Sequence, residues 1–142
     1  MTKERMLGYV AFLHLVAVGR FGFTNAGRAI RWEYVDNSVF RMIGASNPKR
    51  SHAQRAIEVG RANRNGYRRI PFRFLGHRFE IMEHVAYFIH KKGIWPTGEM
   101  QINHKDLDRS NGTIENLELM TQSENIKHAN AARRAGKKGG KR

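Results

Sequence analysis

At 142 residues with 40% apolar side chains, the chain has the size of one domain, or of a small domain with a lead-in, and can bury a modest core. Its 26 Lys+Arg against 12 Asp+Glu give a formal charge of +14, the balance of a protein that meets a polyanion, nucleic acid first. It has no cysteine, which excludes disulfides and cysteine-ligated zinc and fits an intracellular compartment.

Residues 1–20 read as a hydrophobic lead-in. Leu7–Val18 is too short for a bilayer span, at about 12 residues where about 20 are needed, and no small-x-small cleavage site follows it. A buried helix or strand is therefore expected there. Phe21–Arg31 holds a turn, Thr24-Asn25-Ala26-Gly27, between strand-like pieces. Arg50–Asn63 reads as a helix, with Ala53, Ala56, Ile57 and Ala62 as a weak apolar stripe. In Tyr67–Phe74, Ile70, Phe72 and Phe74 alternate with Arg69, Pro71 and Arg73, the period of a half-buried strand. Pro71 cannot donate to a ladder, so that strand belongs at an edge. Leu75-Gly76-His77 turns the chain into a return strand through Phe79 and Ile81. A helix over Glu83–Lys92 follows, carrying Val85, Phe88 and Ile89 inward and stopping at Gly93. Trp95–Gly98 is a turn. Thr121-Gln122-Ser123-Glu124 matches a capping box, which starts a helix running to about Arg134. The closing RRAGKKGGKR is too basic and too rich in glycine to order itself, so a mobile tail from Arg133 that touches phosphate is expected.

The most informative stretch is Ile102–Asn125, INHKDLDRSNGTIENLELMTQSEN. Hydrolysing a phosphodiester requires a base to take a proton from water and a cation to absorb charge on the phosphoryl oxygens. Histidine suits the first task, since its ordinary pKa of about 6.5 lets it accept a proton near neutrality. Oxygen ligands suit the second, because magnesium keeps several waters and needs few protein ligands besides the phosphate. His104, at the end of the strand Met100–Asn103, is the candidate base. Asn103 and Asn125 offer oxygens for the metal. Asp106–Gly112 is a turn-rich loop, and Asn116 lies where its amide can pin that loop. Asp106 and Asp108 are more simply turn residues than ligands. His128, three residues after Asn125 on one helical face, could touch the phosphate or the leaving group or could simply be solvated. His84 and His90 read as core-side residues, and His14, His52 and His77 give no catalytic signal.

The spacing of INHKD, the Asn111-Gly112 turn, IENLELMT and SEN resembles the HNH endonucleases of the phage and homing type. That resemblance implies an α+β fold with a ββα-metal motif, preceded by a β-hairpin and helix and by a small N-terminal segment. It also implies His104 as general base, Asn103 and Asn125 as metal ligands, Asn116 as loop anchor and one Mg2+ or Mn2+ ion. The upstream YRRIPFRFLGHRFEIMEH resembles the hairpin and helix that precede the motif in the family, and His84 matches a recurrent histidine there. FTNAGRAIR at Phe23–Arg31 is similar to a short DNA-binding module often found before such nucleases. Many family members carry aspartate where this chain has Asn103, and a neutral amide binds magnesium less tightly than a carboxylate.

The expected division is residues 1–65 as an N-terminal segment with a DNA-binding module, 66–132 as the nuclease domain and 133–142 as the tail. The implied partner is double-stranded DNA, with no membrane, in the cytoplasm of a bacterial or phage-infected host cell. Its contacts are expected from Arg28, Arg31, Arg50, Arg55, Arg61, Arg64, Arg68, Arg69, Arg73, Arg78, Arg133, Arg134, Lys137 and Lys138. Two alternatives stay open: a non-catalytic nucleic-acid-binding protein on the same scaffold, and a small basic RNA-binding protein. The latter leaves the Asn-His…Asn…Asn spacing unexplained and lacks a base-stacking aromatic motif.

Overall fold

The computed structural model describes residues 1–34 and 54–138. Helix α1 (Lys3–Ala17) begins at Thr2, whose Oγ1 accepts from Arg5 N at 3.2 Å. It settles the lead-in as a helix. Its apolar residues run around the whole circumference, so no period announced it, but Tyr9, Phe12 and Leu15 define the face that is buried. Phe12 is fully buried among Phe21, Phe23 and Phe72, with ring centroids 4.9–5.7 Å apart. Gly8 lets the helix lie close on the sheet, since a Cβ there would meet Ile81 Cγ2 at 2.9 Å.

Strands β1 (Phe21–Phe23) and β2 (Ala29–Tyr34) form the expected hairpin, and β3 (Gln54–Glu58) joins β2 in the order β1-β2-β3, all antiparallel. The expected helix over Arg50–Asn63 is therefore corrected for its described part. Residues 54–58 and 61–62 are strands, while residues 50–53 lie outside the described residues. Two causes are visible. The stripe of alanines had little to bury, and Ala56 is exposed. Pairing Trp32 with Ala56 and Arg31 with Ile57 instead satisfies the backbone of β2. Gly60, unfavourable inside a helix, is needed for a close approach described below.

The second sheet has the order β4-β5-β6, from β4 (Arg61–Ala62), β5 (Arg68–Phe74) and β6 (His77–Met82). The alternation expected in β5 is present, with Ile70 and Phe72 buried between exposed Arg69, Pro71 and Arg73. β4 pairs only with Arg68 and Arg69, so β5 is central at its start and an edge at Pro71, where no donor is needed. Helix α2 (Glu83–Lys92) buries Val85, Ala86, Tyr87, Phe88 and Ile89 and ends at Gly93 with φ +68°.

The last unit is the hairpin of β7 (Met100–His104) and β8 (Leu117–Thr121), followed by α3 (Gln122–Lys138). Its capping box is reciprocal: Glu124 N donates to Thr121 Oγ1 at 3.1 Å and Thr121 N to Glu124 Oε2 at 2.9 Å. The helix continues four residues past Arg134 into the expected tail, because Arg, Ala and Lys are good helix formers that carry the turn through Gly136.

The chain is α+β. One hydrophobic cluster draws residues from α1, β1, β2, β5, β6, α2, β7 and β8, so the division expected at residue 65 runs through a shared core. No helix among the described residues is long and apolar enough to cross a membrane.

Candidate active site on the ββα unit

The register of β7 and β8 decides what faces what. Asn103 stands opposite Glu118, and His104 opposite Leu117. Asn103 Nδ2 donates to Glu118 Oε1 at 3.1 Å, and because a carboxylate only accepts, Asn103 Oδ1 is turned the other way. In the first turns of α3, Asn125 Nδ2 donates to Gln101 Oε1 at 3.0 Å, which likewise leaves Oδ1 available. Asn103, His104 and Asn125 line one cleft of about 530 Å³, together with Tyr67, Leu107, Arg109 and Arg133.

His104 is only 4% exposed, and its Nε2 is buried without a hydrogen-bond partner among the described residues. A ring nitrogen left so costs free energy unless a ligand meets it. The imidazole belongs to a cluster of three rings. His84 lies 4.6 Å away, and Tyr67 stacks on His84 at 5.6 Å and 20°. Burial, then the neighbouring His104, pushes the His84 pKa down to about 3, so His84 is neutral. Burial also lowers the pKa of His104, against the opposing pull of Asp106. His104 is therefore a neutral imidazole near pH 7, able to accept a proton.

The loop that aims it is tied down from within. Asn116 Oδ1 accepts from Asp106 N at 3.1 Å, and Asn116 Nδ2 donates to Asp106 Oδ1 at 3.0 Å and to Asn111 O at 2.8 Å. Asp106 also accepts from Asp108 N and Asn111 Nδ2, while Asp108 accepts from Ser110 N and Oγ. These bonds hold both carboxyls below the usual range, that from Asn111 leading for Asp106 and that from Ser110 Oγ for Asp108. Both are turn residues. His128 Nε2 donates to Lys105 O at 3.0 Å, which joins α3 to the segment just after His104.

The arginines divide into groups. Arg28 and Arg68, expected on a duplex face, are turned inward onto Glu83, whose carboxylate is buried and demands compensation. Arg31 and Arg55 both pair with Glu33, and Arg69 pairs with Glu80. Arg61, Arg64, Arg73, Arg78, Arg133 and Arg134 carry no ion pair among the described residues, while Arg50 lies outside them. Lys137 and Lys138 fall on the last turn of α3.

Sequence reasoning passed over Tyr67, Arg109, Gln101 and Glu118. The last two were within reach, because alternation along β7 puts residues 101 and 103 on one face, and antiparallel pairing sets Glu118 beside Asn103.

Among the described residues, no three His, Asp or Glu side chains gather as a metal site. Of the two expected ligands, Asn103 and Asn125, each keeps its Oδ1 without a hydrogen bond among the described residues. This sparse set suits an ion that keeps its waters and takes further ligands from a phosphate.

A family model described as HNH endonuclease matches residues 82–127, from the start of α2 into α3. The fold is similar to a solved structure described as DNA binding and cleavage by the HNH homing endonuclease I-HmuI. The TM-score is 0.54 at 20% identity, over 80% of this chain and 53% of that one. The chain thus spans about half the length of that protein. No protein of curated function matches the sequence. The matched span takes in Asn103, His104, Asn116 and Asn125, so the stretch that carries the core of the site is the stretch that is similar to the HNH endonucleases.

Proposed function

We propose that the chain is a divalent-metal-dependent DNA endonuclease that hydrolyses phosphodiester bonds, nicking or cutting duplex DNA. The observation that carries this reading is the buried, unpartnered Nε2 of His104, in a cleft that also holds Asn103 and Asn125. His104 accepts the proton of the attacking water, and its lowered pKa keeps it in the accepting form at neutral pH. Asn103 and Asn125 would hold a Mg2+ or Mn2+ ion, which supplies charge stabilisation at the phosphoryl and leaving oxygens. Asn116 keeps the loop in place, and His128 braces it through Lys105 or meets the leaving group. The exposed arginines hold the duplex by its phosphates, the N-terminal segment and the end of α3 flanking the nuclease unit.

The full chain should nick supercoiled plasmid with Mg2+ or Mn2+ and stop when chelator is added. His104→Ala should lower the rate by about 10²–10⁴-fold with duplex affinity nearly unchanged, because a base acts in the chemical step. One observation favours a second reading, a non-catalytic DNA-binding protein: both proposed ligands are neutral amides. A folded full chain that binds duplex but stays inert with either ion would establish that reading.

A further inference from the structure

Arg109 stands apart from the other arginines of the site. Its guanidinium carbon lies 4.3 Å over the Tyr67 ring, and its Nη1 donates to Asn65 O at 2.6 Å. It has no carboxylate partner among the described residues, unlike Arg28, Arg31, Arg55, Arg68 and Arg69. The turn beneath it is rigid. Asn63 Oδ1 accepts from both Asn65 N and Tyr67 N, Asn63 N donates to Tyr67 O at 2.8 Å, and Gly66 takes φ +82°. That turn presents the Asn65 carbonyl and the Tyr67 ring in one fixed relation, and Arg109 uses both. An arginine on an exposed loop normally loses considerable side-chain entropy when ordered. Here the ring and the carbonyl have already ordered it, on the wall of the cleft that holds His104.

A guanidinium has five N–H donors in a planar fork. One is spent on Asn65, and among the described residues the remainder have no partner and can engage the cleft. A full positive charge, held in place and not neutralised by a neighbour, is the arrangement that stabilises charge on a phosphoryl group without reorganising. We propose that Arg109 is the phosphate-binding residue of this cleft, its fork engaging the nonbridging oxygens of the phosphodiester that lies beside His104. Tyr67 and Asn65 act as positioning residues for it. This assignment rests on the nuclease reading, but its binding half can be measured without turnover.

The test uses the full chain in two arms. In the His104→Ala background, duplex affinity is titrated by fluorescence anisotropy across salt concentrations, with and without Arg109→Ala. Loss of one phosphate contact should reduce the log–log salt slope by about 0.9. In the parent background, Arg109→Ala should lower kcat by about 10²–10³-fold in plasmid nicking. Arg109→Lys should restore the slope but little of kcat, since an ammonium is a point charge and not a fork. Melting midpoints within a degree or two of the parent's accompany the expected result. An unchanged slope would overturn the proposal, and an unchanged slope with a lowered midpoint would make Arg109 a strut of the turn instead. Full turnover in Arg109→Lys would overturn the fork. If the parent itself fails to nick, the nuclease reading falls, while the slope still decides whether Arg109 meets phosphate.

Discussion

Asn116→Ala tests whether the loop after His104 is held by one amide. Asn116 is 8% exposed, and truncation removes three hydrogen bonds at once. Their losses are unequal. The Asp106 carboxylate keeps two other donors and faces water, so it rehydrates. The Asn111 carbonyl is half-buried and recovers water only in part. The backbone N–H of Asp106 makes its bond to Asn116 at a part-buried position, and an orphaned donor there costs about 1–3 kcal/mol. The bond from Lys105 N to Asn116 O survives, because it is backbone, so the hairpin itself persists. The expected net loss is about 2 kcal/mol, which for a chain of this size lowers the melting midpoint by roughly 5–8 °C. Nicking measured well below the lowered midpoint should still be impaired, because His104 and Leu107 are joined through the same loop. Circular dichroism melts and plasmid nicking on one preparation settle the matter. An unchanged midpoint with lost activity would move Asn116 into the chemistry. A lowered midpoint with full activity would mean the loop does not aim His104.

Three further outcomes follow from local features. Because the pKa of His104 is lowered, its neutral, active form persists to below pH 6.5, so the rate should hold from neutrality down to that point and fall on the acid side; an acid limb breaking above pH 7 would contradict the assignment. His84 has a folded pKa of about 3 against 6.5 unfolded, so its contribution to stability is complete above pH 6.5 and declines as pH falls toward 3; His84→Gln should flatten the loss of melting midpoint between about pH 6.5 and 5. At the tip of the β5-β6 hairpin, Leu75 adopts φ +51° and is 82% exposed, a conformation that asparagine tolerates better than leucine. Leu75→Asn should therefore stabilise the protein by about 0.5–1 kcal/mol in chemical denaturation, and a loss would mean the turn is set by something other than its own dihedrals.

What could be read in advance was what is local. The alternation of Ile70, Phe72 and Phe74, the stop at Gly93 and the Thr121–Glu124 box all depend on residues a few positions apart, and each is present. The spacing from His104 to Asn125 was legible for the same reason, since it is one hairpin and one helix turn. The N-terminal helix had no period to read, because its apolar residues surround it. Gln54–Glu58 was misread because its partners on β2 lie 20 to 28 residues upstream, and no local signal reports a distant strand. The contact of Arg109 with Tyr67 joins residues 42 apart, in a sequence with so many arginines that one more carried no weight. Glu83 was hidden for another reason. A glutamate opening a helix reads as a complement to the helix dipole, whereas here it is 2% exposed and partnered from elsewhere in the chain.

Glu83 joins parts of the chain that look separable. Its Oε1 receives Arg68 Nε at 2.8 Å and Arg28 Nη1 at 3.5 Å, and its Oε2 receives Ala29 N at 3.0 Å. Arg28 continues to Ser110 O at 2.7 Å, reaching the loop after His104. Gly60 lies so near that an added Cβ would fall 2.0 Å from Glu83 Oε2. A gene fragment that starts after the first hairpin would encode Glu83 and Arg68 but neither Ala29 nor Arg28, leaving a buried anion short of two of its three partners. A chimaera builder who transplants the ββα unit must therefore carry the N-terminal hairpin and Gly60 with it. The workable splice lies ahead of α1, and the smallest portable version of this ββα unit is nearly the whole described chain.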